Sequence, residues 1–468
     1  MSDDLCFASA GELLALYRRR EVSPVEVAQA VLKRTSRFQE SLNAFVLVDE
    51  DAALTQARAS EERWTRGEPK GRLDGVPTSL KDIVLTKGWP TLKGSRTIDP
   101  AGPWDEDAPC VARLREHGAV FVGKTTTPEL GWKGLTDSPL TGVTRNPWNT
   151  DMSPGGSSGG ASAALAAGMG ALAIGTDGGG SIRIPAAFTG VFGIKATFGR
   201  VPAYPESAMR NVAHIGPMAR TVSDAALMLT VISEPDDRDH TALPHHGEDF
   251  SEGLGDGIAG LRVAFSPALG YARVEPEVDR VVREAVALFA DLGVEVEECD
   301  PGFGNPKAAF RALWWAGAAG ALHALPDETK ALMEPELQEI VAEGARMPIL
   351  DYMQAQADRT QLCLKMREFH RRYDLLLTPA LSVPAFPVGQ LRPDGWPDDD
   401  TYWTDWTPFT FPFNLTQQPA CSVPCGFTSD GLPVGLQIVA PSYREDLVLR
   451  AAHAFEQARG EWPRPPIG

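Results

Sequence analysis

Polar capping residues followed by apolar residues at intervals of three and four open the chain. Ser9 with Glu12, and Ser23 with Pro24 and Glu26, read as two helix starts of the capping-box type, the second with proline in its first turn. Helical and strand periods then alternate. Residues 111–117 predict a helix closed by Gly118, followed by a short apolar strand at 119–122. The same succession recurs as a helix at 277–292, Gly293 and a strand at 294–299. Residues 375–377 and 436–439 predict buried strands, Asp430 and Gly431 a turn between two apolar runs, and 445–457 an amphipathic helix. Alternation of this kind predicts α/β layers around one large sheet. No internal repeat is present. Two stretches break the pattern: 233–257, rich in Asp, Pro, His and Gly, reads as a solvated loop, and 389–412, rich in Pro, Asp and Trp, is too irregular for a regular element.

Composition narrows the class. The chain has 468 residues, 43% apolar and 23% charged, enough to bury a large core and unlike a disordered, collagenous or coiled-coil chain. A formal charge of −18 disfavours nucleic acid and anionic membrane surfaces as partners. No apolar run approaches the ~18 residues needed to span a bilayer. The first residues, MSDDLCFASAGELLALYRRR, make a poor signal peptide, because acidic residues precede the apolar ones. Six cysteines in a chain this long do not suggest a disulfide framework, so the expectation is a soluble, cytoplasmic protein.

The densest chemical signal lies in 153–195, where two glycine–serine clusters flank a small-residue helix at 161–167 and a short strand at 171–175. Glycine permits close approach of backbone to ligand, and small helix residues permit tight packing beneath. Three readings compete. SPGGSSGGASAALAA resembles the phosphate-holding loop of galactokinase-type kinases, but no Walker lysine follows Gly160 and the second cluster stays unexplained. Residues 155–159 fit G-x-S-x-G, but that motif needs a buried strand before it, and here polar, proline-punctuated residues precede. The third reading adds Lys81, within the apolar run GVPTSLKDIV. Buried alone, a lysine loses its charge and becomes a base, and Ser157 and Ser181 could then form a relay with it.

Taken together, GVPTSLKDIV, GKTTTPELG, SPGGSSGG and GTDGGGSIRIPAA, with GVFGIKATFGRVP, HIGPMARTV, LLLTPA, PACSVPCGF and DGLPVGLQIVAP further on, resemble the amidase signature family of serine hydrolases. The resemblance implies a single domain over 1–468. It would comprise N-terminal helices (1–65), a catalytic core (66–230), a variable substrate-pocket region (231–365) and a C-terminal part completing the sheet (366–468). The implied architecture has three layers, α/β/α, around a large mixed twisted sheet. It also implies Ser181 as nucleophile, Ser157 as a middle serine on a cis peptide bond, and Lys81 as base. The N–H groups of Gly178, Gly179, Gly180 and Ser181 would form an oxyanion hole. Asp177, Arg183 and Ser158 would support this set, Asp177 and Arg183 by pairing or by hydrogen-bonding the turn. The implied activity is cofactor-independent hydrolysis of a carboxamide-type C–N bond in an apolar or aryl small molecule, with no metal. Carbamate or nylon-oligomer hydrolysis, or service as the A component of a tRNA-dependent amidotransferase, are the alternatives, and a homodimer is compatible with the family. The family commonly carries Thr or Ser where Gly178 stands, so an extra glycine is expected to loosen the loop or open space above it. It often reads Lys-Asp-Asn where Lys81 and Asp82 are followed here by Ile83.

Weaker signals remain. His240, His245 and His246 near Asp236, Asp237 and Asp239 are spaced too irregularly for a metal site and read as a solvated face. His214 reads as a packing residue, and Cys421 and Cys425 as small buried residues. Trp314 and Trp315, with Trp396, Trp403, Trp406, Phe409, Phe411 and Phe413, fit either an apolar pocket or ordinary core packing.

Overall fold

A computed structural model describes residues 2–396 and 402–467. Among these, eleven strands form one sheet: β1 (Phe45–Val48), β2 (Pro77–Lys81), β3 (Val120–Thr125), β4 (Leu172–Asp177), β5 (Phe192–Lys195), β6 (His214–Ala219), β7 (Arg262–Phe265), β8 (Glu295–Glu298), β9 (Leu375–Pro379), β10 (Ala420–Phe427) and β11 (Pro433–Val439). Their order is β1-β3-β2-β4-β6-β5-β10-β11-β9-β7-β8. β3, β2 and β4 are mutually parallel, as are β9, β7 and β8, whereas β4 through β9 in the middle of that order pair antiparallel. The sheet is therefore mixed, as expected.

Period-two burial gives it two apolar faces. Leu375 and Leu377 join one cluster with the helices Val222–Ile232, Pro276–Asp291 and Glu445–Arg459, while Leu376 between them joins the other. The second cluster is built from the helices Lys307–Leu322, Pro335–Arg346 and Ile349–Phe369 and the aromatic segment after Tyr402. The three-layer arrangement follows from burying both faces.

Local signals translate closely. Both capping boxes close: Ser9 N–H donates to Glu12 Oε2 at 2.7 Å and Ser23 N–H to Glu26 Oε2 at 2.8 Å. The helix expected at 111–117 spans Pro109–Glu116, and that expected at 277–292 spans Pro276–Asp291. Asp430 and Gly431 turn β10 into β11. Two expectations need correction. The stretch 233–257 is not wholly solvated, since Phe250 and Leu254 insert into the first cluster. The stretch 389–412 holds a short 3₁₀ turn, Trp403–Asp405, and its residues 397–401 lie outside the described residues. The three long helices between 307 and 369 had no separate sequence assignment. Among the described residues no helix is long and apolar enough to cross a membrane.

Candidate active site

Lys81 ends β2, and the turn carrying Ser181 follows β4. These strands are parallel, with Leu80 opposite Ile174, so both segments leave the sheet at the same carboxyl edge, where open α/β sheets place their ligands. Lys81 is wholly buried. Its Nζ lies 2.7 Å from Ser157 Oγ, 2.9 Å from Ser158 Oγ and 2.8 Å from Thr176 Oγ1. Burial pushes its pKa well below that of an ordinary lysine, with the nearby Asp177 charge opposing the shift. A neutral amine offers two N–H donors and one lone pair, which matches three oxygen neighbours.

Ser158 sets how those are used. Its hydroxyl donates to the Thr176 carbonyl at 3.2 Å and its oxygen accepts the Thr176 N–H at 3.2 Å, so toward Lys81 it can only accept. If Lys81 donates to Thr176 as well as to Ser158, its lone pair is left for the Ser157 hydroxyl. Thr176 was not singled out in the sequence; alternation along β4 could have placed it beside the lysine, but nothing local marks it.

The Ser157 loop is held from several sides. The Gly156–Ser157 peptide is cis. Thr136 Oγ1 donates to the Gly155 carbonyl at 2.8 Å and accepts the Gly159 N–H at 3.1 Å. The helix Gly159–Ala166 packs Ala161 and Leu165 with Ala173, Ile182 and Ala186. No strand runs directly into the loop, so the G-x-S-x-G match has none of the context a nucleophile elbow needs. Ser158 N–H donates to the Ser181 carbonyl at 3.1 Å, which ties the two glycine–serine loops together. Ser181 Oγ has no hydrogen-bond partner among the described residues, and the residue is 4% exposed.

Asp177 and Arg183 are fully buried and clasp the Ser181 turn. Arg183 Nε and Nη2 each reach a carboxylate oxygen at 3.0 Å, and its other N–H groups go to the Thr410 carbonyl, Gln437 Oε1 and Asn414 Oδ1. Burial resists ionisation of Asp177, but the Arg183 charge outweighs it and holds the carboxyl well below the usual range. Gly180 N–H donates to Asp177 Oδ1 at 2.8 Å. Of the four N–H groups expected to receive an oxyanion, that of Gly180 is thus engaged by Asp177, whereas those of Gly178, Gly179 and Ser181 have no such partner among the described residues. Gly180 instead serves conformation, with φ +129° and Thr410 where a β-carbon would stand. Asn414 and Gln437, far along the chain, had no sequence signal.

Gly178 does not open space as expected. A β-carbon there would lie 2.7 Å from Trp314 Cζ3, and one on Gly179 would lie 2.6 Å from Trp403 Cη2 and 2.7 Å from Phe310 Cζ. The aromatic side chains fill that volume and line the loop.

Other candidates fall away from the centre. His214 Nδ1 sits 2.9 Å from the Val212 carbonyl and 3.2 Å from that of Asp177, and burial pushes its pKa well down. Lys124 and Lys195 are also buried, with Lys124 pushed down to about 8, but Lys124 contacts Thr91, Asp82 and the Val84 carbonyl, and Lys195 backbone carbonyls. Of these three lysines only Lys81 touches serine hydroxyls. Asp82 accepts N–H groups of Leu92 and Gly94. Cys421 and Cys425 are buried thiols that burial shifts upward. His240 and His246 are exposed and His245 faces Glu248 at 3.7 Å.

Similarity to known proteins is extensive. The Amidase family profile matches residues 26–449. An acylamidase from Rhodococcus erythropolis is 39% identical over 462 residues, covering 97% of this chain and 96% of that protein. The A component of the glutamyl-tRNA(Gln) amidotransferase of Salinispora arenicola is 36% identical over 496 residues, covering 99% of this chain and 100% of that protein. The crystal structure of a bacterial aryl acylamidase of the amidase signature family superposes with a TM-score of 0.90 at 31% identity, covering 97% of this chain and 96% of that one.

Proposed function

Since this chain belongs to the Amidase family and is an amide-hydrolysing enzyme, we propose that it cleaves uncharged acyl or aryl amides of small molecules through acylation of Ser181. The observation that carries this reading is the buried Lys81 Nζ standing 2.7 Å from Ser157 Oγ. Neutral Lys81 takes the Ser157 proton while Ser157 takes that of Ser181, and Ser181 Oγ attacks the carbonyl carbon. The N–H groups of Gly178, Gly179 and Ser181 receive the oxyanion; removing one such donor costs about 3–4 kcal/mol in comparable sites. The proton returns through Ser157 to the amine nitrogen, the C–N bond breaks, and an ester to Ser181 remains. Water then attacks that ester, giving its proton to the same relay and releasing the acid. The scheme draws base and acid from one lysine and requires no metal or organic cofactor.

What supports an independently acting hydrolase over an amidotransferase component is the lining of the loop. Glutamine brings an ammonium and a carboxylate, whereas the groups packed on Gly178 and Gly179 are the rings of Trp314, Trp403 and Phe310. Incubation with a fluorophosphonate should add one adduct, mapped to Ser181 by peptide mass, and abolish release of amine from a panel of anilides, aliphatic amides and carbamates. Full activity without an adduct, or activity confined to glutamine, overturns the reading.

A further inference from the structure

Residue 178 is a glycine, and an indole occupies the volume that a side chain there would fill. Trp314 Cζ3 and Cη2 lie 2.7 and 3.0 Å from the place of the missing β-carbon. Real β-carbons do not tolerate such distances to an atom of a rigid ring, so residue 178 and residue 314 cannot both be large. Trp314 is itself fixed. Phe310 lies 5.4 Å away and Trp403 5.7 Å away in an edge-on arrangement, and Phe310 stacks on Phe411 at 5.0 Å. All four rings are buried, so the wall is rigid rather than adaptable.

The wall stands against the backbone that presents the Gly178 and Gly179 N–H groups. Anything whose carbonyl oxygen docks there lies beside indole and phenyl rings. Ring faces are electron-rich and edges electron-poor, so a planar aryl group gains offset or edge-on contacts that an aliphatic chain lacks. The Nε1–H groups of Trp314 and Trp403 are buried without an acceptor among the described residues. An unsatisfied buried donor is costly, and a substrate bearing an acceptor beside its ring would relieve it.

We propose that Gly178 and Trp314 form a matched pair that determines substrate choice, the glycine admitting an aromatic wall beside the oxyanion donors and the wall selecting planar aryl amides over aliphatic ones. This rests on the amide-hydrolase reading above.

The test is a double-mutant cycle on the full chain with W314A, G178T and the double variant. Two readouts are used: kcat/KM for 4-nitroacetanilide and for propionamide, and the rate at which Ser181 is labelled by phenylmethanesulfonyl fluoride and by methanesulfonyl fluoride. W314A should lower the aryl-to-aliphatic ratio in both readouts by about tenfold or more, the scale of discrimination that one apolar contact surface provides. G178T alone should lose activity on both amides, because its side chain collides with Trp314. G178T with W314A should regain labelling and turnover with the aliphatic preference of W314A. Equal loss on both substrates in W314A, or a G178T variant as active as the parent, overturns the pairing. A parent protein that hydrolyses neither amide and takes no label overturns the amide-hydrolase reading, and this proposal falls with it. A parent that is active and labelled, but whose ratios do not move in W314A, overturns this proposal alone.

Discussion

Ser158 accepts from Lys81 Nζ at 2.9 Å while its own proton is committed to the Thr176 carbonyl. One hydroxyl thereby fixes one N–H of its neighbour, which points at Ser158; with the second N–H on Thr176, the lone pair faces Ser157. Burial makes Lys81 basic in its neutral form, but these contacts make it directional.

Ser158→Ala should therefore damage catalysis without unfolding the protein. The amine keeps its burial and its contacts with Ser157 and Thr176, but it gains freedom to rotate its lone pair away. The expected loss is roughly 10- to 100-fold in kcat with little change in KM, smaller than the ~10²–10⁴ that general acid–base catalysis contributes as a whole. Steady-state kinetics with a circular-dichroism check of folding decides it. An unchanged kcat would leave Ser158 a purely structural residue.

Lys81 predicts the acid limb of the pH profile. Its folded pKa is depressed by burial, so the unfolded chain binds the proton more readily than the folded one. Activity should rise as the amine loses its proton through that lowered pKa, and be flat well before pH 10.5, where an exposed lysine would titrate. The same sign makes Lys81 a burden on stability below its unfolded pKa, a burden that shrinks as pH rises. Lys81→Arg keeps a charge at every accessible pH and should be inactive throughout. A kcat/KM profile with an acid limb centred near 10.5 contradicts a buried base.

Asp177→Asn tests the clasp. Arg183 would remain buried with its charge unbalanced, and the Gly180 N–H would lose a carboxylate acceptor. Breaking one partner of a buried pair costs about 3–5 kcal/mol, so a large drop in the urea midpoint is expected. The depressed pKa of Asp177 means that its contribution is complete above its unfolded value of 3.8 and is lost only as pH falls through the lower folded value. The variant should therefore differ most from the parent at neutral pH and least in strong acid. A stability within about 0.5 kcal/mol of the parent would mean that the pair is solvated in solution.

The order of elements was legible because its signals are local. A capping box such as Ser23 with Glu26 depends on residues three apart, and the alternation of periods along 277–299 depends only on neighbours in the chain. The family motifs were legible for the same reason, since Lys81, Ser157 and Ser181 each sit within a short run of distinctive residues. Their meeting was not. It required β2 and β4 to lie side by side in parallel, a pairing between segments about 95 residues apart, of which hydrophobic period says nothing. Folding alone assigned the Gly180 N–H to Asp177, brought Asn414 and Gln437 to Arg183, and set Trp314 against Gly178. A donor can be engaged, or a space filled, only by what arrives through the third dimension; residue type and spacing carry the chemistry available to a chain, and packing decides which of it is left free to act.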